Sequence, residues 1–468
     1  MNPHNKNLKP STSRQASRTR TGNHSSLKQV KLASSSGNHT ASDYYTVQQP
    51  VLPENLAAHM DQLLDAIDRA LPLSPAHKKD LKYAVRDLSR ELTSERTERK
   101  RDYLGMPRNH AAYIQYFLPW NVLRIAQIVA NLDVSLQDGD SILDIGSGPW
   151  TVPLAFWIAR PELRTKQLTW ILMDRVKKPM ESGRAIFTVL NEMQNLADCP
   201  WQFVTVREQF PALAEKKQPK PFALITAANV LNELFWNERV QLDIRASSVL
   251  ESVSLNAGPG TRLLIIEPGE PRSGTMIAAL RESILINAQH LKGRILSPCP
   301  HTNACPMPGS YLGKALRALR TGAPLTKEIP AAVNMPASRQ KYPWCHFVLN
   351  SSPAPKRLLE LSEAAGIPKE RLVASWLYVE LFSKQPTQYE KNHKKEENSI
   401  RIISDTIRAN NKIYRYGCGE DGYLMVGQPF SHYPSGTLIT LADKKIWVSH
   451  SIDKKSHALL VEQPNQEQ

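Results

Sequence analysis

The segment from Ser141 to Trp150 constrains this chain most. It reads Ser-Ile-Leu-Asp-Ile-Gly-Ser-Gly-Pro-Trp, a short apolar run that ends in an acid and a glycine-rich turn. A run of that length between turn signals predicts a buried strand. The glycines let the backbone turn tightly, approach a bound group and start the next helix. A second strand is expected over Leu168–Met173, and it ends at Asp174, 30 residues after Asp144. An acid there can hydrogen-bond both ribose hydroxyls of a nucleoside cofactor. Further runs at Phe203–Val206, Phe222–Ala227 and Arg262–Ile266 alternate with helical segments. That alternation predicts an α/β fold with a parallel, doubly wound sheet.

The ordered set of strand, Asp-x-Gly-x-Gly turn, helix, strand and acid is more specific than a lone Gly-x-Gly. It resembles the class I S-adenosylmethionine (SAM) dependent methyltransferases, with their Rossmann-like sheet. The cofactor-binding candidates are Asp144, Gly146, Ser147, Gly148 and Asp174, with Asn229 in the loop Ala228–Leu234. An NAD site usually has a Gly-x-Gly-x-x-Gly fingerprint, whose third glycine is absent from this turn. The SAM pattern often has one where Trp150 stands, and an indole there is expected to narrow the amino-acid end of the pocket. A Rossmann fold that has lost its ligand is the competing reading. The Asn/Asp-Pro-Pro-aromatic loop of amino methyltransferases is missing, and Cys199 stands alone, reading as a buried small hydrophobe. Catalytic residues are therefore not assigned. Methyl transfer needs mainly orientation, so a SAM-dependent methyltransferase activity is not excluded.

The remaining cysteines carry a second signal. Cys299 and Cys305 lie in Ser-Pro-Cys-Pro-His-Thr-Asn-Ala-Cys-Pro, Cys345 in Trp-Cys-His-Phe, and Cys418 in Tyr-Gly-Cys-Gly. Four thiolates can complete a tetrahedral or cuboidal metal site. C-x5-C differs from the usual zinc spacing, and Cys-Pro is a feature of iron–sulfur ligation. A four-iron, four-sulfur (4Fe-4S) cluster is the first expectation and zinc the alternative, with His301 and His346 as reserve ligands. Five cysteines spread unevenly over 468 residues do not make a secreted disulfide framework. No apolar stretch is long enough to span a membrane.

The formal net charge is +15, which favours a polyanionic partner, most commonly nucleic acid. Residues 1–46 hold seven Lys or Arg against Asp43 and too few apolar residues to fold alone. They read as an RNA-gripping arm, a transit peptide or an inert tail. Residues 47–135 read as a helical domain, with Leu56, Met60, Leu63, Leu64, Ile67 and Leu71 on one face. It includes a Ser74-Pro75 helix start, a basic stretch at Arg96, Arg99, Lys100 and Arg101, and an interruption at Pro119. The Rossmann domain is expected over 136–295, a cysteine-rich metal-binding insertion over 296–350, and the end of the Rossmann domain over 351–385. A charged linker (386–398) leads to a small C-terminal β module (399–468).

These residues together resemble one family closely. Its pattern includes Leu143 to Pro149, Ile266-Glu267-Pro268-Gly269-Glu270-Pro271, Cys299-Pro300-His301 through Cys305-Pro306, and Trp344-Cys345-His346-Phe347. The chain is similar over roughly residues 50 to 440 to the methyltransferase-like assembly factors of the small ribosomal subunit, known from mitochondria and bacteria. The resemblance implies a SAM-type fold, a 4Fe-4S cluster held by Cys299, Cys305, Cys345 and Cys418, and binding to small-subunit ribosomal RNA (rRNA) and ribosomal proteins. The expected protein is a monomer off the ribosome, in the bacterial cytoplasm or, alternatively, the mitochondrial matrix. Two other functions fit the same residues: an active rRNA methyltransferase and a redox- or iron-sensing RNA-binding protein.

Overall fold

A computed structural model describes residues 44–93, 102–194, 199–210, 220–234, 242–286, 291–303, 305–307, 344–383, 398–409, 411–443, 447–453, 456 and 458–462. Residues 1–43 of the basic arm, the stretch Arg96–Arg101, residues 386–397 of the linker and most of the cysteine-rich insertion lie outside the described residues. The chain divides into two units, Met1–Tyr45 and Thr46–Gln468. Only Tyr44 and Tyr45 of the first are described.

After a short strand β1 (Tyr45–Gln48) come α1 (Leu56–Ala70), α2 (Pro75–Leu92), α3 (Pro107–Ala112), a π-helical turn (Tyr113–Phe117) and α4 (Leu118–Val129). The apolar stripe of α1 is buried as its spacing predicts, through Leu56, Met60, Leu63, Leu64 and Ile67. Ser74 caps α2, its hydroxyl accepting from the His77 N–H at 3.3 Å, and Pro75 opens the helix. Pro119 does not break the third helical segment. It sits in the first turn of α4, directly after the π-helical turn. Proline lacks an N–H and its ring crowds the preceding turn, and the wider π turn takes up that demand.

The central sheet follows: β2 (Ser141–Ile145), α5 (Thr151–Ala159), β3 (Thr169–Asp174), α6 (Lys177–Met193), β4 (Gln202–Arg207), β5 (Leu224–Ala228), α7 (Leu231–Leu234), α8 (Leu242–Ser254), β6 (Arg262–Pro268), α9 (Pro271–Ile286), β7 (Leu291–Ser297), β8 (Phe347–Leu349), α10 (Lys356–Ala364) and β9 (Leu372–Ser383). The strand order is β4-β3-β2-β5-β6-β9-β7, with β8 paired to β9. β2 to β6 are mutually parallel, and β9 runs antiparallel between β6 and β7. This is the class I SAM-methyltransferase sheet expected from the sequence. Both faces are covered, as an α/β sheet requires. Leu143, Ile225, Leu263 and Ile265 face one core with Val249 of α8 and Leu280 of α9. Their neighbours Ile142, Leu224, Leu264 and Ile266 face the other, with α4 and α5. Every residue of α5 is buried, so the Gly-rich turn before it stands on a fixed base.

The last strands are β10 (Ser399–Ala409), β11 (Lys412–Gly419), β12 (Gly422–Val426), β13 (Leu438–Leu441), β14 (Val448–Ile452) and β15 (Leu459–Val461). They form a second sheet of order β1-β13-β10-β11-β12-β15-β14. Ile403, Tyr414, Tyr423 and Met425 of this sheet share one core with Phe347 and Trp376.

Candidate functional site

The strand order reverses between β2 and β5, the point at which open α/β sheets bind ligands. A cleft of about 360 Å³ opens there, at the carboxyl ends of the strands. Asp144, Gly146, Ser147, Gly148, Asp174 and Asn229, the six cofactor-binding candidates, all line it.

Backbone geometry explains the residue types. Gly146 has φ 65°, and a Cβ there would stand 2.4 Å from a Val230 methyl. Gly148 is also left-handed, and its N–H donates to Asp174 Oδ2 at 3.0 Å. The Val176 N–H donates to Asp174 Oδ1 at 2.8 Å, so the carboxylate is aimed from two sides. Burial raises its pKa against these two bonds. Asp144 is fully buried and accepts from the Thr226 hydroxyl at 2.6 Å. Burial pushes its carboxyl up to about 7, the Thr226 bond opposing and Asp174 adding to the rise.

Asn229 is left-handed too, and its N–H donates to the Ile266 carbonyl at 2.8 Å. The next three N–H groups, of Val230, Leu231 and Asn232, all donate to the Glu267 carboxylate at 3.0, 2.8 and 3.2 Å. Glu267 thereby fixes the loop beside the cleft. Burial pushes its carboxyl up to about 8 in spite of those bonds.

Among the described residues, Asp144 Oδ2, Ser147 Oγ and Asn229 Oδ1 are buried polar atoms with no hydrogen-bond partner. Each such atom costs about 1–3 kcal/mol when left unpaired. Three of them on the wall of one cleft suit a polar ligand. A nucleoside-type cofactor fits this set.

Trp150 departs from expectation. Its side chain does not line the cleft. It is buried on the far side of the turn, stacked on Phe203 at 4.4 Å and tilted against Phe187. A Cβ on Gly183 would come within 2.5 Å of its ring, so α6 carries a glycine where the indole lies against it. The backbone of Trp150 has φ 61°, a conformation that glycine adopts freely. The side chain fills a core and leaves the pocket's width unchanged.

The cleft also holds residues that the sequence reading did not select. Tyr103, Tyr113 and Glu233 line it. The Tyr103 hydroxyl donates to Glu233 Oε1 at 3.2 Å. Burial raises the Tyr113 pKa, with Glu233 and Asp174 adding to the effect. Glu208 and Phe210 bring the end of β4 to the same wall.

The four candidate thiols gather at another place, where β7 and β8 leave the central sheet and β11 crosses near them. Cys418 is buried, and Cys299, Cys305 and Cys345 are partly buried. Cys345 is raised well above the ordinary thiol range, first by burial and then by the charges of Cys299, Cys305 and Cys418. Burial likewise pushes Cys305 up to about 11. His301 Nε2 lies 3.2 Å from Cys418 Sγ. His346 is engaged elsewhere, its Nδ1 on the Trp344 carbonyl at 3.0 Å. Cys199 is half-buried against the core, apart from this group. Among the described residues no three His, Cys, Asp or Glu are grouped so as to hold a metal ion.

Arg281 of α9 organises this corner. It is 2% exposed and pairs with Glu282 at 2.5 Å. It donates to the carbonyls of His301 and Asn303 at 2.8 and 2.7 Å, while Glu282 accepts from the Cys305 N–H at 2.7 Å. Burial disfavours the Arg281 charge, but Cys299, Cys305, Glu282 and Cys418 more than offset it and raise its pKa. Arg401 of β10 donates to the carbonyls of Pro298 and Gly436. Burial holds it down to about 10, with Cys299 and Cys418 opposing. Two buried arginines thus lie near the four thiols. Trp344 and Cys345 pack on the end of β6, with Trp344 Nε1 donating to the Gly269 carbonyl at 2.9 Å and Ser375 Oγ to that of Cys345 at 2.6 Å.

Comparison with known proteins adds a family signal. Residues 108–311 match the family described as mitochondrial small ribosomal subunit Rsm22. The match covers under half of the chain and includes the cofactor turn, Asp174, Asn229, Cys299 and Cys305. No curated protein matches the chain. Among solved structures, a Listeria monocytogenes protein assigned to the class I SAM-dependent methyltransferases is 11% identical over 71% of this chain and 91% of its own, with a TM-score of 0.33. Phosphoethanolamine N-methyltransferase 2 of Haemonchus contortus, solved with SAM, is 12% identical over 61% of this chain and 60% of its own, with a TM-score of 0.29. Precorrin 8w decarboxylase of Methanobacterium thermoautotrophicum is 12% identical over 38% of this chain and 78% of its own, with a TM-score of 0.24. These scores are low, and the fold assignment rests on the strand order instead.

Proposed function

We propose that the chain is a SAM-binding, methyltransferase-like factor that binds rRNA and acts in assembly of the small ribosomal subunit. The carrying observation is that the stretch matching the small-subunit family contains the whole Gly-rich turn of a cleft whose wall holds three unpartnered buried polar atoms. Asp174 would hold the ribose, the Gly146–Gly148 turn would approach the cofactor backbone, and Asn229 would meet its amino-acid portion. SAM, when bound, supplies an electrophilic methyl group. Glu267 acts on that site only through the loop it fixes.

The reading extends to a metal centre. Cys299, Cys305, Cys345 and Cys418 would hold a 4Fe-4S cluster, with zinc as the alternative. What supports it is the electrostatic grouping of four thiols with Arg281 and Arg401 beside them. Held by these four cysteines, such a centre would tie the loops after β7 and before β8 to β11. The partners would be small-subunit rRNA and ribosomal proteins, the chain being monomeric off the ribosome. The family's description favours the mitochondrial matrix over the bacterial cytoplasm as the compartment.

An active rRNA methyltransferase is the second reading. Tyr103 and Glu233, bonded to each other in the same cleft, can orient an acceptor. Sedimentation of the full chain with purified small subunits, with and without SAM, tests the proposal. Co-migration with the small subunit is expected, and free migration under all conditions would overturn it. Transfer of labelled methyl from SAM to rRNA would favour the second reading.

A further inference from the structure

Helix α2 carries five cations, Lys78, Lys79, Lys82, Arg86 and Arg90, all exposed. It also carries three acids, and each of these is engaged toward α3. Arg108 pairs with Asp80 at 2.7 Å and with Asp87 at 2.9 Å. The Asn109 side chain donates to Glu91 at 3.3 Å. Ala84, Val85 and Leu88 are buried below. Lys79, Lys82, Tyr83, Arg86 and Arg90 recur at helical spacing and so share the opposite face. That face is basic, and among the described residues the ion pair of Arg86 is a long 3.5 Å contact to Asp87. In its middle stands the ring of Tyr83, 44% exposed. The Lys82 ammonium lies 5.0 Å and the Arg86 guanidinium 5.4 Å from its centroid, so the ring is flanked by cations on its own helix.

A row of cations around one exposed aromatic ring is the chemistry of single-stranded nucleic-acid platforms. Phosphates meet the cations while a base stacks on the ring. We propose that the outer face of α2 is the rRNA contact of this protein, and that it takes unpaired nucleotides, with Tyr83 as the stacking residue. The inference rests on the RNA-binding part of the proposed function and gives it a place and a preferred RNA form. A duplex buries its base faces and offers Tyr83 nothing to stack on.

The test is fluorescence anisotropy of the full chain with a labelled 20-nucleotide oligouridine and with a 20-base-pair RNA duplex, each titrated across salt concentrations. The variants are Tyr83→Ala, Tyr83→Phe and the triple change Lys79→Glu, Lys82→Glu, Arg86→Glu. All lie on the surface, and unchanged thermal unfolding and SAM binding verify that they fold. Tyr83→Ala should weaken single-strand binding roughly 5- to 100-fold with an unchanged salt slope. Tyr83→Phe should restore it, and the duplex affinity should not respond to either change. The triple variant should flatten the single-strand salt slope by about 2, for three phosphates lost. Wild-type binding with unaffected variants would overturn this placement alone. An equal loss on single strand and duplex would overturn the stacking role. A wild type that binds no RNA would overturn the proposed function itself.

Discussion

Trp150 occupies a left-handed position that costs an L-residue roughly 1–2 kcal/mol, and its indole fills a core with Phe203 and Phe187. Truncation to Ala removes the packing and keeps the strain, so Trp150→Ala should lose about 3–5 kcal/mol. Trp150→Gly relieves the strain and should lose roughly 1 kcal/mol less. Urea unfolding orders the three proteins, and a Gly variant less stable than the Ala variant would contradict the account. Asp144 makes a pH prediction. Its carboxyl is raised to about 7 by burial, against about 3.9 in an unfolded chain. Between those values the native state binds more protons than the unfolded state, so stability is lost as pH rises. Asn at this position can still accept from Thr226 and does not ionise. The stability of Asp144→Asn relative to wild type should therefore rise by up to about 1.4 kcal/mol per pH unit from pH 4 to 7. Thermal unfolding across that range measures it, and parallel curves would refute it. The acids at strand ends and the glycines were legible because their chemistry is local. Tyr103 and Tyr113 were not, because only packing of the N-terminal helices brings them to the cleft. Glu267 was visible in its motif, but its role was not, since its partners lie 35 to 37 residues away.

At the level of elements, β2 to β6 could be read from apolar runs bounded by turns. The order of β9 and β7 could not. Their pairing spans a long insertion, and an antiparallel strand buried on both faces has no distinct periodicity. Nor did the sequence place β1 in the C-terminal sheet, 393 residues from its neighbour β13 by the start of each strand. Helix α9 connects the two candidate sites, since it follows the β6 end that fixes the cleft loop and carries Arg281 to the thiols. Arg281→Met leaves Glu282 buried without its cation and two carbonyls without a donor. Breaking a buried pair in this way should cost about 3–5 kcal/mol. Thermal unfolding and the iron or zinc content of the purified protein report the change, and an unperturbed melting profile would remove Arg281 from its organising role. For the proposed metal centre, Cys418→Ser should lower iron or zinc occupancy while leaving SAM binding intact, because β11 lies in the other sheet.

Across the whole molecule, a formal charge of +15 stands beside a candidate cofactor cleft. Charge was readable from composition, but its division between faces was not, because inward pairing of Asp80, Asp87 and Glu91 depends on α3. Binding to the small subunit should weaken steeply as salt rises, by a slope that counts the phosphates engaged. SAM affinity, set in a buried cleft, should vary little over the same range. The most direct measurement is calorimetric titration of SAM into the full chain and into its Asp174→Ala variant. Saturable one-to-one binding by the wild type is expected, with at least a tenfold loss in the variant. Absence of binding by the wild type at millimolar SAM would contradict that expectation.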